Sequence, residues 1–114
     1  MQKPHFAKAT SHPVTIHIAG DPIAARRICQ EFCDAAGLCV TVIDADYIYT
    51  GGNEVGVRVG LINYPRFPKE RWEIDSLAFA LASKLREELS QESFTIETPL
   101  ETKWFSWRKQ DLAK

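Results

Sequence analysis

The chain has little of what most often gives a small protein away. Three cysteines and one methionine stand among 114 residues, and 15 acidic residues nearly cancel 14 basic ones, for a net charge of −1. A sparse, odd set of thiols cannot build the disulfide frame of a small secreted domain and fits a reducing compartment. Charge balance, with a pI near 6.3, excludes the strongly basic profile that would make sequence-independent nucleic-acid binding the default. No apolar run approaches the roughly 18 residues of a helical membrane span, and residues 1–13 lack the apolar stretch of a signal peptide. A cytoplasmic location with no membrane partner follows as the expectation. The G-x-G-x-x-G and G-x-x-x-x-G-K-[ST] spacings are also missing. The turn Ala19-Gly20-Asp21-Pro22 therefore offers only a helix N-terminus, whose free donors Asp21 itself can satisfy.

What remains is ordinary for a folded domain: 45% hydrophobic and 25% charged residues in a chain of single-domain length. Residues 1–13 are polar, hold two prolines and have no apolar period, so they read as a flexible tail. Residues 14–109 read as a single α+β domain, and 110–114 as a flexible end. Val14 to Ile18 alternates apolar and polar residues as a half-buried strand does. A helix should then begin at Asp21-Pro22, an N-cap oxygen followed by a proline suited to the first turn, and stop at Gly37. Leu38 to Ile43 and Tyr47 to Thr50 read as two extended pieces, with a bend or bulge at Asp44-Ala45-Asp46. Gly51-Gly52 signals a hairpin turn into Glu54 to Ile62. Ile74, Leu77, Ala78, Leu81, Leu85 and Leu89 form the stripe of a second helix over about 69–89. Phe94 to Thr98 reads as a last strand, with an aromatic extension at Lys103 to Arg108. The order β-α-β-β-α-β predicts a ferredoxin-like sandwich: a four-stranded antiparallel sheet with both helices on one face and the other face bare. That architecture alone chooses no activity.

Candidate functional residues divide by chemistry. On the bare face, Gly56 and Gly60 flank Arg58, with Tyr47 and Tyr49 nearby. Glycines inside a strand mark either aromatic cover or close approach by a partner. Tyr64, Arg66 and Phe67 lie between Pro65 and Pro68 in a stiff loop suited to display. Trp72 and Phe79, seven apart and opposite the apolar stripe, should point outward and support self-association as a homodimer. Lys103, Trp104, Trp107 and Arg108 mix aromatics with bases, the combination that stacks on unpaired nucleobases. Cys29, Cys33, Cys39 and His17 fall short of a tetrahedral metal site, so no metal or cofactor is expected. His17, Asp44 and Asp46 would be the acid–base residues of a small enzyme, without a visible nucleophile.

The run from Tyr47 to Pro68, Tyr-Ile-Tyr-Thr-Gly-Gly-Asn-Glu-Val-Gly-Val-Arg-Val-Gly-Leu-Ile-Asn-Tyr-Pro-Arg-Phe-Pro, together with Val14 to Gly20, resembles small proteins encoded by bacteriophages and prophages. The likeness spans about Val14 to Trp107 and brings no catalytic residues with it. It implies an accessory protein in the cytoplasm of a bacterial host cell, acting on host factors that include defence components. The leading expectation is thus a non-enzymatic protein that binds and modulates a host protein through Tyr47, Tyr49, Arg58, Tyr64, Arg66 and Phe67. The second is capture of a nucleotide or single-stranded nucleic acid, and the third a small enzyme.

Overall fold

Each regular element forms where a local signal starts it and another stops it. The computed structural model describes residues 2–111; Met1 and 112–114, the outer parts of the two expected flexible ends, lie outside the described residues. The elements are β1 (Val14–Ala19), α1 (Pro22–Ala36), β2 (Thr41–Tyr49), β3 (Gly52–Leu61), α2 (Arg71–Glu88), β4 (Ser93–Glu97) and β5 (Thr102–Ser106), followed by a short 3-10 turn, Lys109–Asp111. The Asp21 carboxylate accepts from the Ile23 and Ala24 amides at 3.2 and 3.3 Å, which consumes the donors a phosphate would have needed. Gly37 closes α1 in the left-handed conformation. At the start of α2 the Glu70 amide donates to the Glu73 carboxylate at 3.0 Å.

The strands form one antiparallel sheet in the order β2-β3-β1-β4-β5. Five strands rather than the expected four result because Pro99 does not end the sheet: it sits in a turn. Thr98 donates its amide to the Glu101 carbonyl at 2.9 Å, and its hydroxyl accepts from Leu100 and Glu101. This returns the aromatic extension alongside β4, with Phe94 opposite Phe105 and Thr95 opposite Trp104. β2 is likewise one uninterrupted strand, not two pieces around a bend. Asp44 is accommodated on the helix side by Arg26 of α1 at 2.7 Å, so the sheet has no need to bulge away from its charge.

The hairpin turn is also displaced. Thr50-Gly51 makes the turn, with Gly51 at φ +84°, and Gly52 pairs with Tyr49. Tyr47 therefore pairs with Glu54, whereas a two-residue turn at Gly51-Gly52 would set it against Gly56. The shift is two residues, so every side chain stays on the face that alternation assigns it.

Val14, Ile16, Ile18, Val57, Val59 and Leu61 fill one face of the sheet, and Ile28, Ile74, Leu81 and Leu85 of the two helices close over it. A satellite aromatic cluster extends this core beneath β5. Phe79 lies 5.1 Å from Phe105 and 6.0 Å from Phe94, ring centre to ring centre. Phe79 packs one edge against this cluster yet stays 41% exposed, and Trp72 is 68% exposed, so both point outward as their spacing implies. Ahead of β1, His12 is buried and its Nε2 lies 2.8 Å from the Asp75 carboxylate. Asn63 donates to the Thr10 carbonyl.

Because Phe94 joins the main core to the aromatic cluster, Phe94→Ala should cost about 3–5 kcal/mol in urea denaturation. Trp72→Ala should stay within about 0.5 kcal/mol.

Candidate functional site

The pleat that buries alternate residues under the helices sets the remaining ones in rows across the uncovered face. One row runs straight across all five strands: Ile43, Arg58, His17, Thr95 and Trp104, each paired with the next. Nothing among the described residues covers it, since Ile43 and Trp104 are half-exposed and Arg58 is exposed. His17 Nε2 lies 3.0 Å from Glu97, and its ring meets that of Tyr47 edge-on at 6.3 Å. Arg58 has no ion pair among the described residues.

Toward the hairpin end of this face lies a cleft of 310 Å³ whose walls include His17, Tyr47, Tyr49, Glu54, Trp104 and Arg108. Tyr47 folds inward over Gly56. Its hydroxyl donates to the Val57 carbonyl at 2.5 Å, and its ring occupies the space a Gly56 side chain would take: a Cβ there would stand 2.8 Å from the ring and collide with the Ile18 carbonyl. Thr41 caps Gly60 in the same manner. The glycines beside Arg58 therefore seat neighbouring side chains and do not leave a groove around the guanidinium. Burial pushes the Tyr47 phenol above its ordinary pKa, with Arg58 pulling against it. Tyr49 donates to Glu54 at 2.9 Å, and that hydrogen bond raises the Tyr49 phenol too. Arg108 faces Glu92 at 3.3 Å and Asp111 at 3.9 Å. The cleft thus combines the rings of Tyr47, Tyr49 and Trp104 with Glu54, a carboxylate whose only hydrogen bond among the described residues comes from a neutral phenol.

The residues expected to act together separate into two places. Tyr47, Tyr49 and Arg58 share the open face. Tyr64, Arg66 and Phe67 instead line a second, larger cavity of 630 Å³ at the other end of the domain, between the end of α1, the end of β3 and the start of α2. The expected nucleic-acid set is dispersed as well. Trp104 faces the open side and Lys103, next along β5, the other, where it pairs with Glu101 at 3.1 Å. Trp107 is stacked under Arg86 at 4.0 Å, and Arg108 is held by its carboxylates. Asp44 and Asp46 stand on the helix-side rows of β2, away from His17, so the expected acid–base trio does not assemble. Among the described residues no three His, Cys, Asp or Glu side chains converge on a metal-sized point. Cys29 is buried, which pushes its thiol up to about 11. Sequence reasoning missed Glu54 and Glu97. Their signal was the hairpin and strand register, which a two-residue slip obscured.

No protein-family model matches the chain, and no curated protein does. Two solved structures do. A phage SAM lyase in complex with S-methyl-5′-thioadenosine superposes with a TM-score of 0.64 at 12% identity, over 95% of this chain and 100% of that one. A phage SAM lyase in the apo state gives 0.62 at 16% identity, over 87% and 91%. At such identities the likeness is one of fold. It nonetheless counts against the expectation of a non-enzymatic binding protein, because both of these structures are of an enzyme, one of them in complex with a small nucleoside. Both are phage proteins, in keeping with the resemblance of Val14 to Trp107. No described helix is long and apolar enough to cross a membrane.

Gly56→Ala should cost about 1–3 kcal/mol by chemical denaturation, since the backbone and the Tyr47 ring leave no room for a methyl group. The raised Tyr47 phenol favours the folded state below the ordinary tyrosine pKa, and that contribution disappears as pH rises through the folded-state value. Absorbance titration at 295 nm should therefore lose a component that ionises above the ordinary tyrosine range in Tyr47→Phe.

Proposed function

We propose that the protein is an enzyme of S-adenosylmethionine (SAM) cleavage, binding SAM in the cleft at the hairpin end of the open sheet face. The single observation that carries this reading is the cleft's chemistry, aromatic walls around Glu54, in a fold shared end to end with a SAM lyase. SAM presents a flat adenine, a sulfonium cation and a zwitterionic tail, with a net charge of +1. Aromatic faces stack on the base and attract the cation, and a carboxylate opposes it directly. The larger cavity fits this substrate poorly. Arg66 and Lys69 stand in its lining with no carboxylate, so it would repel a sulfonium.

The chemistry follows from what a lyase excludes. Breaking the bond from sulfur to the γ-carbon leaves the electron pair on sulfur and releases neutral S-methyl-5′-thioadenosine. With no water added, the γ-carbon must receive electrons from the same molecule, and closure by its own carboxylate gives a five-membered lactone that keeps the ammonium charge. Atoms and charge balance, +1 on each side. Such a reaction asks little of acid–base residues. It asks for a folded substrate conformation and a site that excludes bulk water. Trp104 and Tyr49 hold the adenosine, and Glu54 neutralises the sulfonium while it approaches its ring-closing geometry. Arg58, exposed and without an ion pair among the described residues, two rows away from Glu54 on β3, steers the carboxylate end. Tyr47, tied to the backbone, fixes the floor.

Purified protein incubated with SAM should release S-methyl-5′-thioadenosine, followed by liquid chromatography with mass detection. In H₂¹⁸O the lactone should carry no label when first formed. Trp104→Ala should raise KM about tenfold through lost stacking, and Glu54→Gln should lower kcat/KM about 100-fold. A protein that neither releases the nucleoside nor binds SAM by calorimetry would defeat the proposal.

A further inference from the structure

The 630 Å³ cavity at the end of the domain remote from the hairpin is used by none of this chemistry. Its walls are mainly apolar: Leu61 and Ile74 come from the core, and Leu38 and Leu77 extend it to the surface. The polar groups at its rim have one sign. Arg66 and Lys69 are the charged residues of the lining, no Asp or Glu lines it, and neither cation has an ion pair among the described residues. The Arg66 guanidinium lies 5.4 Å above the Phe67 ring, which leaves its N–H edge free for an anion.

The rim is also held in place before anything binds. Asn63 accepts from the Lys69 amide at 2.9 Å and donates to the Thr10 carbonyl, fixing both ends of the loop. The Phe67 amide donates to the Tyr64 carbonyl within it. The Cys39 thiol donates to the Tyr64 hydroxyl at 3.4 Å, tying the loop to the segment leading into β2. Pro65 and Pro68 limit what freedom remains. An apolar chamber with a stiff, cationic and uncompensated mouth is built for a ligand of matching shape and charge.

We infer that this cavity is a second ligand site, separate from the SAM cleft, and that it takes a small amphiphilic acid: an apolar body seated against Leu61, Ile74 and Leu77, with one carboxylate at Arg66 and Lys69. The inference stands on the cavity and its charge and does not depend on the lyase reading. A bidentate guanidinium contact supplies the head-group preference, and burial of a hydrocarbon body supplies most of the affinity.

Octanoate and octylammonium, both well below micelle formation, are the probes, titrated into the full chain by calorimetry and by methyl NMR. Octanoate should bind at least about tenfold more tightly than octylammonium, with shifts at the Leu61 and Leu77 methyls. Arg66→Glu combined with Lys69→Glu changes exposed or half-buried side chains and should leave the fold intact while inverting that preference. SAM at saturation should leave octanoate bound. Equal affinity for the two probes, no binding of either, an unchanged preference in the double variant, or displacement of octanoate by SAM would each overturn the inference.

Discussion

Everything on the functional side of this molecule depends on the strict alternation of a sheet that is buried on one face only. Once Val14, Ile16 and Ile18 are committed to the helices, His17 must face away from them, and antiparallel pairing brings Arg58, Thr95 and Trp104 into line with it. Among the described residues only His17 has a further brace, its contacts with Glu97 and Tyr47. The buried row and the exposed row are two consequences of one constraint, and any slip of a single residue would exchange them. This makes the bare face a rigid platform, on which a substrate can be folded without the protein itself having to move.

The same constraint explains why much of the fold was readable in the sequence. Alternation in β1 and β3, the Asp21-Pro22 start and Gly37 stop of α1, and the apolar stripe of α2 are local signals, and each was obeyed. The parts that were not legible depend on partners distant in sequence. Asp44 and Asp46 look like a break until Arg26 is known to stand beside β2. Pro99 looks like a terminator until Thr98 is seen to close a turn around it. Phe79 lies off the stripe of α2 and is exposed as its spacing implies, but its contact with Phe105 waits on the return of β5.

The candidate site was half legible for a related reason. Tyr47, Tyr49 and Arg58 were found because glycines inside a strand attract notice, although the glycines turned out to seat Tyr47 and Thr41. Glu54 carries no such mark. An acidic residue near a hairpin tip is ordinarily solvated, and only the pairing of Tyr47 with Glu54 and the hydrogen bond from Tyr49 give it a role in a cleft. The loop carrying Tyr64, Arg66 and Phe67 reads as a display element from its two prolines. Its location, at the opposite end from the tyrosines of β2, follows from the length of β3 and could not be judged from spacing alone.

The contact between His12 and Asp75 bears on how the protein can be handled. The imidazole is sunk into the surface and leans on a carboxylate of α2, although it belongs to the irregular stretch ahead of the first strand. A version trimmed to begin at Val14 would contain every helix and strand yet lose the buried imidazole and its link to α2, leaving the half-exposed Asp75 carboxylate to solvent. The natural cutting point for a minimal version thus lies upstream of Thr10, whose carbonyl also braces Asn63.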